Sequence, residues 1–122
     1  MKLQAVNTIL YCQHWKETVD FYKTKLNIET TAEFDWFVEF ALNEFARLSI
    51  ADAHRATVGA IAGKGITLSL QVDDIQAAWK HLNNAGVCPA DIKDHAWGAK
   101  VFYIRDPEGN RIEFWAALQT AC

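Results

Sequence analysis

Residues 97–114 read WGAKVFYIRDPEGNRIEF, and this stretch predicts two strands joined by a tight turn. The segment DPEGN at 106–110 has proline and glycine at positions where tight turns need them. The runs on either side, 99–105 and 111–116, are rich in the β-branched and aromatic residues that favour strands. We therefore predict a β-hairpin over residues 99–116.

A strand followed by a helix is predicted upstream of this hairpin. Residues 66–72, ITLSLQV, alternate apolar and polar side chains, which is the pattern of a strand with one buried face. Asp73 or Asp74 can cap the helix that follows, and Gly86 ends it. The same pattern starts at Asn7, and a shift of sixty positions aligns the apolar residues of both units. This internal repeat indicates a duplicated module.

Each predicted helix is followed by three short β-rich runs, so each half of the chain is predicted to be a βαβββ module. The runs are 29–34, 37–42 and 45–50 in the first half, then 90–93, 99–105 and 111–116 in the second. We predict an α+β fold in which one domain spans residues 1–122. Module 1 covers about residues 1–58 and module 2 about residues 64–119, with a glycine-containing connection between them.

The hairpin segment also carries a family resemblance. Residues 97–114 resemble the end of the second module in the vicinal-oxygen-chelate superfamily, which includes glyoxalases, bleomycin-resistance proteins and extradiol dioxygenases. VDFY at 19–22 followed by Leu26, and VDD at 72–74, are similar to the helix patterns of that superfamily. The resemblance implies an open, cup-shaped, eight-stranded mixed sheet with the helices outside.

In metal-dependent members of that superfamily, four side chains in the cup, mostly His and Glu, bind a divalent ion. Carried over to this sequence, the first-strand positions fall on Asn7 and Thr67, and the last-strand positions on Ser49 and Glu113. An amide and two hydroxyls bind transition metals weakly, so Glu113 is the only ligand of the usual kind. We therefore expect no bound metal and no cofactor. No catalytic constellation appears elsewhere in the sequence.

Strand alternation predicts which residues line the cup, because residues two apart share a face. The predicted ligand-binding residues are Asn7, Tyr11, Trp36, Arg47, Ser49, Thr67, Trp97, Phe102, Glu113 and Trp115. A face with a few polar groups among aromatic rings is typical of a small-molecule site. The alternative is that these polar residues only solvate an open sheet face. For Glu113, either an internal ion pair with Arg47 or Arg111 or a cation on the ligand is expected.

Composition and charge narrow the classes of function. The net charge is −3 and the twelve Lys and Arg residues are scattered, so a nucleic-acid partner is not expected. The sequence has no long apolar run, so we expect no membrane partner and a cytoplasmic location. Cysteines at 12, 88 and 122 predict reduced thiols, and the histidines at 14, 54, 81 and 95 lack the spacing of a metal cluster.

The leading functional hypothesis is a metal-independent small-molecule-binding protein that resembles bleomycin-resistance proteins and sequesters its ligand unchanged. The ligand is expected to be small and aromatic or amphipathic, with a positive charge that would suit the acidic chain. One alternative is a metal-dependent lyase, isomerase or dioxygenase. Another is a non-catalytic regulatory or interaction domain with a vestigial cup. The resemblance also predicts a homodimer.

Overall fold

The structure, a computed structural model, describes residues 1–96 and 98–118. The strands are β1 Val6–Cys12, β2 Thr30–Glu33, β3 Phe37–Ala41, β4 Ala46–Asp52, β5 Thr67–Gln71, β6 Lys93–His95, β7 Ala99–Arg105 and β8 Arg111–Ala117. Helix α1 is Trp15–Asp20 and continues as a π-helical segment, Phe21–Lys25. Helix α2 is Ile75–Asn84, and a short 3-10 helix covers Ala53–Arg55. Over the described residues, no helix has the length and apolar character to cross a bilayer.

The strands form two four-stranded mixed sheets with the same topology. Their orders are β1-β4-β3-β2 and β5-β8-β7-β6. In each sheet the first and last strands of the module pair in parallel, and the other pairs are antiparallel. The predicted α+β fold of two βαβββ modules is therefore confirmed. Neither sheet closes, and β1 and β5 are edge strands.

The hydrophobic core lies on one face of each sheet, where the helices cover it. Leu10, Leu48 and Ile50 of the first sheet and Ile112 and Phe114 of the second belong to one buried cluster. Their neighbours along each strand point the other way, as the alternating sequence predicts. The buried residues of both modules thus share one core.

The predicted start of helix α2 is confirmed, with Asp74 as the N-cap. Its side chain accepts a hydrogen bond from the Ala77 backbone N–H at 3.0 Å. Strand β6, however, begins at Lys93 rather than at the predicted residue 90. The Ala90 N–H donates to the Tyr103 carbonyl of β7 at 3.1 Å, but the Ala90 carbonyl accepts from Trp79 Nε1 of α2 at 2.9 Å instead of bonding to the sheet. Regular pairing with β7 therefore starts at Lys93.

The turn between β7 and β8 joins the two modules through buried carboxylates. Asp106 accepts a hydrogen bond from the Tyr22 hydroxyl at 2.7 Å. Glu108 accepts from the backbone N–H groups of Gln13 and His14, at 3.0 and 2.9 Å, at the start of α1. We call the contacts of Asp106 and Glu108 with this helix the inter-module clasp. Burial, and then the charge of Asp106, raise the pKa of Tyr22 well above its ordinary value, so its hydroxyl remains a donor.

Candidate functional site

The face of the first sheet that points away from the core carries four of the predicted site residues. Asn7 and Ser49 lie side by side, and the Ser49 hydroxyl donates a hydrogen bond to Asn7 Oδ1 at 2.8 Å. Arg47 Nε lies 3.9 Å from Glu39 Oε1, and Arg47 Nη1 donates to the Asn43 carbonyl at 2.9 Å. The polar groups on this face are therefore largely satisfied by one another.

Three aromatic side chains lie together at one end of this face. Tyr11 is in register with Ala51, and Ala51 is in turn opposite Phe37 on the next strand. The Trp36 ring lies 5.2 Å from the Phe37 ring, in the turn just before β3. These three aromatic side chains are partly exposed, so part of each ring surface is accessible from solvent.

The second sheet places Glu113 among hydroxyl groups on the corresponding face. Its carboxylate accepts hydrogen bonds from the Ser69 hydroxyl and, at 3.3 Å, from the Tyr103 hydroxyl. Arg111 Nε donates to Thr67 Oγ1 at 3.0 Å, and its guanidinium lies 4.8 Å from the centre of the Tyr103 ring. This face therefore combines one carboxylate, one guanidinium and an aromatic ring within a few side chains.

An ion pair between Glu113 and either Arg47 or Arg111 does not form among residues 1–96 and 98–118. Arg47 is held by Glu39 and by the turn before β4, on the other sheet. Arg111 uses its Nε on Thr67 instead. Glu113 is thus left with neutral hydrogen-bond donors, and its half-exposed carboxylate stays open to a ligand.

The prediction that Phe102 contacts a ligand is wrong. Phe102 has no exposed surface and stacks on Phe114 in the core, with ring centres 5.1 Å apart. The β7–β8 register pairs Tyr103 with Glu113, so Tyr103 occupies the polar face and its neighbour Phe102 points the opposite way. Trp115 lies on the polar face as predicted, two residues beyond Glu113. Trp97 lies outside the described residues.

The donor set at the four carried-over positions does not fit a divalent transition metal. Asn7 and Ser49 are bonded to each other, Thr67 is bonded to Arg111, and Glu113 supplies the one carboxylate. Transition metals favour imidazole, thiolate or several carboxylates. Among the residues that the structure describes, no group of three His, Cys, Asp or Glu side chains could hold a metal ion.

The buried cysteine does not supply a nucleophile. Cys12 has no exposed surface, and burial, followed by the charges of Glu108 and Asp106, raises its pKa from 9.0 to about 12. Its thiol is therefore protonated throughout the physiological range.

A family comparison agrees with the topology and the repeat. The model of the Glyoxalase/Bleomycin resistance protein/Dioxygenase superfamily matches residues 4–114, which is most of the chain. The chain belongs to this superfamily. Proteins that share a fold can have different activities, so membership of the superfamily establishes the fold of this chain, and its activity depends on the residues of the site.

The individual proteins that are similar to the chain are distant from it in sequence. The chain is 28% identical to "Uncharacterized protein YraH" from Bacillus subtilis (strain 168), over 97% of this chain and all of the relative. A lactoylglutathione lyase from Agrobacterium tumefaciens has a TM-score of 0.77 at 22% identity, covering 91% of both chains. TnmS3, an antibiotic binding protein from Streptomyces sp. CB03234, has a TM-score of 0.77 at 21% identity, covering 96% of both. At these identities the likeness shows the fold alone.

Proposed function

We propose that the chain binds a small aromatic or amphipathic molecule on the polar face of the second sheet, without a metal ion and without changing it chemically. The observation that carries this proposal is the environment of Glu113. Its carboxylate is held by Ser69 and Tyr103 and has no cationic partner among residues 1–96 and 98–118. A ligand group that donates a hydrogen bond to this carboxylate completes the site.

Aromatic rings supply the rest of the proposed contact area. Tyr103 lies directly opposite Glu113 on β7, Trp115 lies two residues beyond Glu113 on β8, and both rings are partly exposed. Rings of this kind bind apolar or aromatic groups through large, rigid surfaces. An antibiotic binding protein among the fold neighbours is consistent with such a role. The lactoylglutathione lyase among these neighbours makes a metal-dependent enzyme the alternative function. The side chains at the four metal-ligand positions of this chain do not suit a transition metal, which argues against that alternative.

Replacing Glu113 tests the proposal. In a titration of chelator-treated, isotope-labelled protein with benzyl alcohol, we expect NMR shifts of the backbone amides of Ser69, Tyr103 and Glu113. Glu113→Gln keeps the shape but removes the charge, so the affinity should fall about fivefold. Glu29→Gln, at an exposed carboxylate away from this face, should leave it unchanged. If Glu113→Gln and the unmodified chain bind benzyl alcohol with equal affinity, Glu113 is not part of the binding site.

We also propose that the chain is a homodimer in which the second copy covers the edge strands. Both β1 and β5 are edges, and on β1 the side chains of Val6 and Ile9 expose 57% and 38% of their surface. Unpaired edges with apolar side chains are usually covered. Light scattering at micromolar concentration should give twice the chain mass of 13.8 kDa. A mass of one chain would contradict the dimer.

A further inference from the structure

We propose that the ligand carries an oxyanion, such as a phosphate or a carboxylate, which binds to Lys64, Arg105 and Arg111. We call these three residues the basic rim. The inference rests on the proposed function and specifies one end of its ligand. It also reverses the sign of the ligand charge that the net charge of −3 suggests.

Two arginines of the basic rim face each other across the hairpin. Arg105 is the direct cross-strand partner of Arg111, and both lie on the face that carries Glu113. Like charges directly opposite on neighbouring strands repel. Neither arginine has a carboxylate partner within the described ranges, 1–96 and 98–118. A bound anion would remove this repulsion.

Each arginine is held in place by a neutral acceptor, which leaves other nitrogens for a ligand. Arg105 Nη1 donates to the Gly109 carbonyl at 3.0 Å. Arg111 Nε donates to Thr67 Oγ1 at 3.0 Å and stacks its guanidinium on the Tyr103 ring. A guanidinium that is already oriented can offer a pair of N–H groups to an oxyanion in a bidentate arrangement.

The connection between the modules supplies the third basic group. Lys64, between Gly63 and Gly65, lines a cavity of about 410 Å³ together with Arg105 and Arg111. The loop lies so close to the β7–β8 turn that a Cβ on Gly63 would be 2.5 Å from the Gly109 carbonyl oxygen. The cavity is therefore bounded by fixed backbone on one side and by the arginines on the other. Its size suits a small anionic group with part of the attached molecule.

The basic rim is continuous with the face proposed to bind the ligand. Arg111 and Glu113 are two residues apart on β8, and side chains so spaced on a strand lie about 7 Å apart. One small molecule can therefore donate a hydrogen bond to Glu113 and place its anionic group at the rim. The carboxylates of the adjoining turn, Asp106 and Glu108, are buried and bonded to the first module, so the exposed charge at the rim is positive, which favours an anion.

Titrations with four compounds test the basic rim. Phenyl phosphate should shift the amides of Thr67, Arg105 and Arg111 and bind at least tenfold more tightly than benzyl alcohol. Inorganic phosphate should shift the same amides more weakly. Benzoate in place of phenyl phosphate distinguishes a carboxylate from a phosphate preference. The affinity for phenyl phosphate should fall with added salt, because the rim is exposed.

Variants assign the effect to individual side chains. Arg105→Gln should weaken the binding of phenyl phosphate about tenfold and change that of benzyl alcohol little, and Arg111→Gln should weaken the binding of phenyl phosphate by about the same factor. Lys64→Gln, in an exposed loop position, provides a variant whose folding is not at risk. This substitution should weaken the binding of phenyl phosphate by a smaller factor. Arg55→Gln, which removes an exposed arginine paired with Asp35, is the matched control and should have no effect.

The possible outcomes distinguish the inference about the basic rim from the proposed function. If phenyl phosphate and benzyl alcohol bind equally, and the rim variants change nothing, the anion inference is overturned while the proposed function stands. If inorganic phosphate shifts the rim but none of the aromatic probes shifts Tyr103 or Glu113, the rim is supported and the proposed function fails. If no probe shifts any residue of this face, both are overturned.

Discussion

Asp106→Ala should lower the free energy of unfolding by about 4 kcal/mol, because several buried donors would lose their acceptor at once. The Asp106 carboxylate accepts hydrogen bonds from the Tyr22 hydroxyl at 2.7 Å and from Asn110 Nδ2 at 2.8 Å. It also accepts from the backbone N–H groups of Glu108 and Asn110, at 3.0 and 2.9 Å. Water entering the site would replace some of these bonds, which keeps the loss below their sum.

Urea denaturation of matched variants measures this effect. Asp106→Asn keeps one acceptor oxygen and should lose about 2 kcal/mol, between Asp106→Ala and the unmodified chain. Asp91→Ala removes an exposed aspartate and should stay within about 0.5 kcal/mol. An Asp106→Ala variant as stable as Asp91→Ala would show that the clasp does not hold the modules together.

Gly63→Ala should cost about 3 kcal/mol, through a steric clash rather than through lost hydrogen bonds. The backbone of Gly63 has a φ of +76°, where side chains are strained. A Cβ there would lie 2.5 Å from the Gly109 carbonyl oxygen and 2.7 Å from the Asn110 nitrogen. Both are backbone atoms of the turn that carries Asp106, so relief requires the loop to move away from the second module.

Alanine substitutions at two other glycines distinguish the effect of the steric clash from the effect of the strained backbone. Gly65 has a similar φ of +79° but no atom within 4 Å of an added Cβ, so Gly65→Ala should lose only about 1 kcal/mol. Gly59→Ala meets neither constraint and should be neutral or slightly stabilising. Thermal melts of the three variants should therefore rank Gly63→Ala as the least stable. Equal losses for Gly63→Ala and Gly65→Ala would mean that close packing against the turn contributes nothing.

Much of the fold follows from patterns that the sequence displays directly. The repeat at a spacing of sixty residues predicts two equivalent modules, and the structure builds both with one topology. Alternation along β5 and β8 predicts that Leu68 and Ile112 turn toward the core while Thr67 and Glu113 turn away. These patterns are readable because burial on one face of a strand is a local property with a period of two.

Properties that depend on strand register or on contacts between distant residues were not predicted. Choosing Tyr103 over Phe102 for the polar face requires the register of the β7–β8 hairpin, which pairs Tyr103 with Glu113. The motif D-P-x-G-N predicts a turn, and polar turns are usually exposed. Asp106 and Glu108 are instead buried, because residues just before and just after α1 of the other module donate hydrogen bonds to them. Such partners lie more than 80 residues away in the sequence and leave no local pattern.

The basic rim was missed for a related reason. Arg105 and Arg111 flank the turn in the sequence, and only their cross-strand register places the two charges opposite each other. Lys64 belongs to the connection, whose course over the turn depends on contacts with Gly109. The overall negative charge, meanwhile, favoured the opposite sign of ligand. Net charge describes the whole surface, and a site responds to the few groups that surround it.

Metal content tests the central claim, that this site binds small molecules without a metal ion. The protein should be purified without chelators, incubated with Zn²⁺, Ni²⁺, Fe²⁺ and Mn²⁺ in turn, desalted and subjected to elemental analysis. With Asn7, Ser49 and Thr67 at three of the four positions, we predict well under about 0.1 ion per chain. About one tightly held ion per chain, lost in Glu113→Gln, would contradict the account and favour a metal-dependent enzyme.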